Sequence, residues 1–272
     1  MNTQAHTTAR SVLAWSGAWH TTERILPEEV PVALVYDGTT QAVMMATPSD
    51  LPDFLLGFAL TEGLIDTPDE LTGTEIVAQP RGIEVRAWLA PGAASRLTAR
   101  RRLSAGPVGC GLCGVDSIEA ALRPLPPAPK DSGPWLAPDA VAQAMAAVTA
   151  AQPLHTQTRA THAAGLWLPG TGLVAVREDV GRHNALDKLA GAVVPGDASP
   201  SAGILVLTSR LSVDLVQKAA MIGARVLIGA SAPTALAVSE AEAAGITLIA
   251  RVRGASFEVY SHPQAFTEEA LA

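Results

Sequence analysis

Ile204-Leu205-Val206-Leu207, Val226-Leu227-Ile228 and Ile246-Thr247-Leu248-Ile249-Ala250 are three short apolar runs, and the segments between them decide the fold. After the first, Ser212 caps a helix that runs to Ile222 and stops at Gly223. After the second, Thr234 opens a helix that stops at Gly245. Strand, helix, strand, helix, strand at this spacing predicts a parallel sheet covered by helices. Parallel strands end on one edge, where ligands of such sheets bind. The loops on that edge are Thr208-Ser209-Arg210-Leu211-Ser212, Gly229-Ala230-Ser231-Ala232-Pro233-Thr234 and Arg251-Val252-Arg253-Gly254-Ala255-Ser256. Two of them open helices, whose N-termini favour anions. Ordinary capping by Ser212 and Thr234 accounts for those two without a ligand. The basic third loop shifts the reading toward a phosphate-bearing one.

Working outward, Leu173 to Val176 is another apolar strand. It leads into Arg177-Glu178-Asp179-Val180-Gly181-Arg182-His183-Asn184-Ala185-Leu186-Asp187-Lys188, the densest polar cluster of the chain. Gly181 would let backbone approach a ligand, and Arg182, His183, Asn184 and Lys188 supply donors for phosphate, a pterin edge or a partner. A solvated helix face is the plainer reading of the same residues. His162 stands beside an apolar strand, where a hydrogen-bonded structural histidine is equally natural.

Upstream, Asp139 to Ala151 predicts a helix with Val141, Met145 and Val148 on one face. The run 123–138 holds Pro124, Pro126, Pro127, Pro129, Pro134 and Pro138 and is read as a linker. Before it, Val32 to Val35 and Ala42 to Met45 flank the turn signal Asp37-Gly38. Pro48-Ser49-Asp50 starts a helix through Leu51 to Leu60 that Gly63 stops, and Ile76-Val77 and Ile83 to Leu89 read as strands. Residues 1–27 are polar and aperiodic and read as a flexible tail. The chain thus divides into that tail, a small α/β domain over 28–122, the linker, and an α/β domain over 139–272.

Composition narrows the function. The chain has 272 residues, 48% of them hydrophobic, which suffices for a core. A net charge of −7 argues against a basic field for nucleic acid. No run approaches a membrane span, and Met1 to Arg24 carries no signal-peptide pattern, so a cytoplasmic protein is expected. There are two cysteines, too few for a disulfide framework or a four-thiolate metal site.

Both cysteines fall in Gly106-Pro107-Val108-Gly109-Cys110-Gly111-Leu112-Cys113-Gly114. Asp116-Ser117-Ile118-Glu119 follows as a capping-box pattern, which places the pair just ahead of a short helix, where thiolate is favoured. Arg100, Arg101 and Arg102 lie upstream. Four readings stand: two structural cysteines, half of a zinc site completed by His155 and His162, a dithiol redox centre, and a sulfur carrier whose thiolate takes and passes on a persulfide sulfur. Zinc nucleobase deaminases use His-x-Glu followed by Pro-Cys-x-x-Cys. Here His155, His162 and His183 lack that Glu, and the cysteines precede them all, so that chemistry is excluded.

Gly109-Cys110-Gly111-Leu112-Cys113-Gly114, Arg177 to Asn184, Gln217-Lys218-Ala219-Ala220 and Ser231-Ala232-Pro233-Thr234 together resemble the FdhD family, as do Leu60-Thr61-Glu62-Gly63 and Tyr260-Ser261-His262-Pro263. The likeness spans roughly residues 28 to 264, in order. It implies a cytoplasmic sulfurtransferase that takes persulfide sulfur from a cysteine desulfurase. The sulfur goes to the molybdenum cofactor, in its bis-molybdopterin guanine dinucleotide form, for the catalytic subunit of formate dehydrogenase. The resemblance assigns the persulfide to Cys110, with Cys113 assisting, and the cofactor stretch to Arg251, Val252, Arg253, Gly254, Ala255 and Ser256, with GDP as a mimic. Arg182, His183, Ser209, Arg210, Ser231 and Thr234 complete the expected ligand edge; no metal ligands are expected. A three-layer C-terminal domain resembling the cytidine deaminase-like fold, without its zinc, and a homodimer are further implications. Where relatives have Thr-Gly-Gly-x-His and Ser-Gly-Arg, this chain has Thr158-Arg159-Ala160-Thr161-His162 and Thr208-Ser209-Arg210.

Overall fold

The computed structural model describes residues 6–101, 124–129 and 135–267. The chain opens not with a loose tail but with two strands, β1 (Thr7–Trp15) and β2 (Trp19–Pro27), paired antiparallel along their whole length. Gly17, at φ 85°, sits in the turn, and Trp15 and Trp19 meet edge-on across it with centroids 5.2 Å apart. Most of both strands is exposed, so neither carries the apolar alternation by which a half-buried strand is recognised.

A four-stranded sheet follows, in the order β4-β3-β6-β5. β3 (Val30–Tyr36) and β4 (Thr39–Ala46) form the expected hairpin, with Asp37 at φ 46° and Gly38 at φ 71° as a two-residue turn needing positive φ at both positions. β5 (Leu71–Gln79) and β6 (Gly82–Leu89) form a second hairpin, and β6 lies parallel to β3. Helix α1 (Leu51–Thr61) buries Phe54, Leu55 and Phe58 against Leu34, Tyr36 and Val85. Each such side chain is worth about 1.5–3 kcal/mol of burial. Helix α2 (Pro91–Arg101) closes the unit, with Ala93 and Leu97 inside.

Residues 124–129 have neither helix nor strand, as their prolines require. They are nevertheless tied down, because Ala128 N donates to Ala244 O at 2.7 Å. The second unit is a six-stranded mixed sheet in the order β12-β11-β10-β9-β7-β8. Its centre is the parallel set β9 (Ile204–Leu207), β10 (Val226–Gly229) and β11 (Thr247–Arg253), in the register Leu205, Leu227, Leu248. β7 (His162–Leu168) and β8 (Gly172–Asp179) add on antiparallel beside β9. β11 runs further than the sequence predicts and turns back through Gly254-Ala255 into β12 (Ser256–Val259). The basic third loop is therefore a hairpin tip.

Alternate residues of the central strands face opposite layers. Val206, Ile228 and Ile249 pack on Val141, Ala144, Met145 and Val148 of α3 (Pro138–Ala150). Leu205, Leu227 and Leu248 pack on the other face, with α5 (Arg182–Val193), α6 (Val213–Met221) and α7 (Ala235–Ala244). Between these lies the short α4 (Pro153–Thr158), whose Leu154 and His155 amides donate to the Glu178 carboxylate at 2.8 and 2.7 Å. The second unit is thus three layers, helix, sheet and helix.

The two units meet where α1 crosses α5. A Cβ added to Gly57 would lie 1.6 Å from the Asp187 carbonyl oxygen, and one on Gly191 2.0 Å from that of Asp53. The helices touch backbone to backbone, and glycine is the only residue that leaves room.

Candidate functional site

The polar cluster at the start of α5 divides into an inward and an outward half. Asp179, fully buried at the end of β8, accepts at Oδ1 from Gly181 N (2.7 Å) and Asn184 Nδ2 (2.9 Å). Its Oδ2 accepts from Thr47 N (3.0 Å) and pairs with Lys188 Nζ at 2.6 Å. Asn184 also donates to Met45 O, and Lys188 to Thr47 O, each across the joint between units. Asn184 and Lys188, which the sequence offers as ligand donors, are instead engaged inside the joint. The Gly181 amide is already bonded to Asp179, and an added Cβ would meet Asn184 Nδ2 at 2.7 Å, so its bareness serves this inward packing. Arg177 is likewise engaged, with Asp53 at 2.7 Å.

Three of the quoted motifs converge on a second buried network. Lys218 Nζ sits 2.9 Å from Asp187 Oδ1 and 2.8 Å from Glu62 Oε1, and donates to Thr61 Oγ1 at 3.1 Å. Burial pulls the Lys218 pKa down, but the charges of Asp187 and Glu62 outweigh it, and the net direction is up. The ammonium stays charged beneath the joint, 5.4 Å from the centre of the Phe58 ring.

The outward half lies on the carboxyl edge of the parallel strands. The three loops of that edge are stitched together. Leu211 N donates to Ala232 O at 3.3 Å, Thr234 N to Leu211 O at 3.0 Å, and Arg251 N to Ser231 O at 3.3 Å. His162 joins them because Ala163 N donates to Thr208 Oγ1 (2.9 Å) and Thr208 N to Ala163 O (3.1 Å). Arg182 and His183 arrive from the start of α5. Burial lowers the His162 pKa, and the charges of Arg182 and His155 press it in the same direction. His183 Nε2 meets Asp214 Oδ2 in the first turn of α6. Burial alone would raise Asp214, but its bond to His183 and that ring's charge outweigh it and hold the carboxyl at about 2. Asp214 is a residue that sequence reading missed. The Nε of Arg182 is buried without a partner among the described residues.

The other expected ligand residues fare differently. Ser209 is buried and its hydroxyl donates to Arg210 O, while Arg210 itself is exposed. Thr234 Oγ1 accepts from Ala237 N at 3.2 Å, a helix cap, whereas Ser212 makes no side-chain cap bond. Val252 points into the core, so only its backbone could meet a ligand. Arg251, at φ 55°, pairs with Glu258 at 3.1 Å; Arg253, Gly254, Ala255 and Ser256 are exposed on the hairpin tip. Cys110 and Cys113 lie outside the described residues, as do Arg102, the capping-box pattern and Pro134. Among the described residues no three His, Cys, Asp or Glu side chains gather as a metal site, and no helix is long and apolar enough to cross a membrane. A cleft of about 850 Å³ lies elsewhere, lined by Val30, Pro48, Ile76, Arg81 and Ile83.

The edge brings imidazole and guanidinium groups together near helix N-termini, groups of the kind that bind phosphate oxygens. A family model described as the FdhD/NarQ family matches residues 27–267. The sulfur carrier protein FdhD of Agrobacterium fabrum is 53% identical over 253 residues, 93% of each chain. That of Brucella abortus biovar 1 is 55% identical over 88% of each chain. That of Cupriavidus necator is 50% identical over 89% of this chain and 84% of its own. A crystal structure described as a formate dehydrogenase accessory protein from Desulfotalea psychrophila superposes with a TM-score of 0.75, covering 97% of this chain and 100% of that one at 24% identity; it shows the shared fold.

Proposed function

The chain belongs to the FdhD/NarQ family, and on that premise we propose that it is a sulfurtransferase serving formate dehydrogenase. It accepts sulfur from the persulfide of a cysteine desulfurase on Cys110 and delivers it to the molybdenum cofactor in its bis-molybdopterin guanine dinucleotide form. The observation that carries this is the glycine-flanked Cys110-Gly111-Leu112-Cys113 in a chain half identical to proteins named sulfur carriers. The Cys110 thiolate attacks the outer sulfur of the donor persulfide. The donor S–S bond breaks, the desulfurase cysteine leaves as thiolate, and a persulfide forms on Cys110 with no net oxidation. On delivery the Cys113 thiolate would attack the inner sulfur of the Cys110 persulfide, releasing the outer sulfur as hydrosulfide for the cofactor and leaving a Cys110–Cys113 disulfide for a cellular dithiol to reduce. The basic carboxyl edge supports the reading on the ligand side, because a guanine dinucleotide offers a diphosphate to it, and GDP offers the same group.

After incubation with a cysteine desulfurase and cysteine, mass spectrometry is expected to find one added sulfur on Cys110. The variant Cys110→Ala is expected to leave formate dehydrogenase inactive. Full activation by that variant would instead favour a non-catalytic chaperone that binds the cofactor and docks it onto the dehydrogenase.

A further inference from the structure

The antiparallel ribbon of β1 and β2 is a sheet of its own, and no residue of either strand enters the three hydrophobic cores. Two strands alone are marginal in water. This pair is tied at its root, where Glu28 N donates to His6 O at 2.8 Å and β2 leans on α4. The register puts Leu13, Trp15, Trp19 and Ile25 on one face, where they are 65, 62, 66 and 39% exposed. That leaves an apolar face on the order of 500 Å² in water, a size that marks an interaction site on a soluble protein. The opposite face carries Arg10 directly across from Arg24. Like charges so placed repel. Arg24 donates to Thr22 Oγ1 and Glu23 O, and neither guanidinium has a carboxylate partner among the described residues. Tryptophan and arginine are the side chains that most often carry the binding energy of protein interfaces.

We propose that this ribbon is a docking arm for the catalytic subunit of formate dehydrogenase, gripped in a cleft with one apolar and one acidic wall. A flat lipid surface meets one face of a ribbon. A cleft takes the tryptophans on one side and answers the paired guanidiniums with carboxylates on the other. A second copy packed ribbon on ribbon covers the tryptophans and leaves both arginine pairs unanswered. The root of the arm selects the receiving protein. The first amides of α4, on which β2 leans, donate to Glu178 at the end of β8, and the chain beyond α4 runs through Thr161 to His162. The arm is therefore rooted at the carboxyl edge, and a protein that takes the ligand from that edge comes to the same corner. The inference rests on the reading that the chain serves formate dehydrogenase, and not on which cysteine carries sulfur.

The test measures binding of the full chain to the purified, cofactor-free catalytic subunit of a formate dehydrogenase from the same organism. Trp15→Ser combined with Trp19→Ser is expected to weaken binding about a hundredfold. Arg10→Glu combined with Arg24→Glu is expected to weaken it about tenfold and to flatten its dependence on salt. Both variants should keep the wild-type thermal midpoint and the wild-type affinity for GDP, because the arm lies outside the cores and holds no residue of the carboxyl edge. In the wild type, the amides of residues 7–27 should gain protection from hydrogen exchange when the subunit is added. Undiminished binding by the tryptophan variant, no gain of protection, or no complex with the wild type would overturn the proposal. So would a wild-type dimer that the tryptophan substitutions dissolve with no subunit present, or wild-type sedimentation with phosphatidylglycerol vesicles that the same substitutions abolish. Cys110→Ala should dock as the wild type does. Full activation of the dehydrogenase by the tryptophan variant overturns the arm alone, whereas a wild type that activates no formate dehydrogenase sinks the reading beneath it.

Discussion

Arg159 closes α4 in the left-handed region, at φ 56°, where a side chain is strained and glycine is not. This is the position at which the family resemblance expects glycine, so the departure in sequence has a definite conformational cost. Arg159→Gly is expected to raise stability by about 0.5–1 kcal/mol, read as a higher thermal midpoint. Asp214 makes the opposite kind of contribution. Its folded pKa of about 2 lies below the ordinary 3.8, so the stability it supplies is complete above pH ~4 and lost as pH falls toward 2. The shift corresponds to about 2 kcal/mol at most. Urea unfolding compared at about pH 5 and pH 2.5 is expected to show a smaller acid loss in Asp214→Asn than in the wild type. An equal loss would mean that the His183 contact does not hold the carboxyl down.

At the scale of the element, what the sequence revealed and what it hid have one cause. The parallel strands are legible because β9 and β10 are wholly apolar and the helices before β10 and β11 end at glycines, Gly223 at φ 73° and Gly245 at φ 76°. The first hairpin was hidden because its strands are solvated and show no apolar face. At the start of α5 polarity does not mean exposure, for Asn184, Asp187 and Lys188 are all buried. Asn184, Asp187, Lys188 and Gly191 fall at helical spacing on one stripe, and that stripe faces α1 and the end of β4 with the turn after it. The glycine at its end was the available signal, since a helix interior tolerates glycine mainly where another backbone comes close. The carboxyl edge was found from topology, but Asp214 was not, because only the fold brings α6 against α5. Gly191→Ala tests the crossing. A helix interior would ordinarily gain from alanine; here the added methyl is expected to cost about 1–3 kcal/mol or more, measured as a lowered denaturant midpoint without a change of slope.

At the scale of the molecule, the proline-rich run suggested two domains on a tether, while the buried groups tell of a seam. Asp179 and Lys188 of the second unit bond to the Thr47 backbone of the first, and Glu62 of the first completes the shell of Lys218 in the second. Calorimetry is expected to record one unfolding transition for residues 28–267, with equal calorimetric and van't Hoff enthalpies. Two resolved transitions would show that the seam opens on its own. Opening it would take Glu62 from Lys218 and the Thr47 peptide groups from Asp179 and Lys188, while the Asp179–Lys188 and Asp187–Lys218 pairs stay within the second unit.

That seam also bears on how this fold could be reused. A part is transferable to another chain when its own residues satisfy its own buried groups. The C-terminal layers keep an ammonium and a carboxylate whose remaining bonds are made by someone else's peptide group at Thr47. Cut free and grafted elsewhere, they would carry an unanswered charge pair on the face where α1 had been. The carboxyl-edge layers and the first unit are thus bound to one another as a single inheritance, and neither can be borrowed without the other.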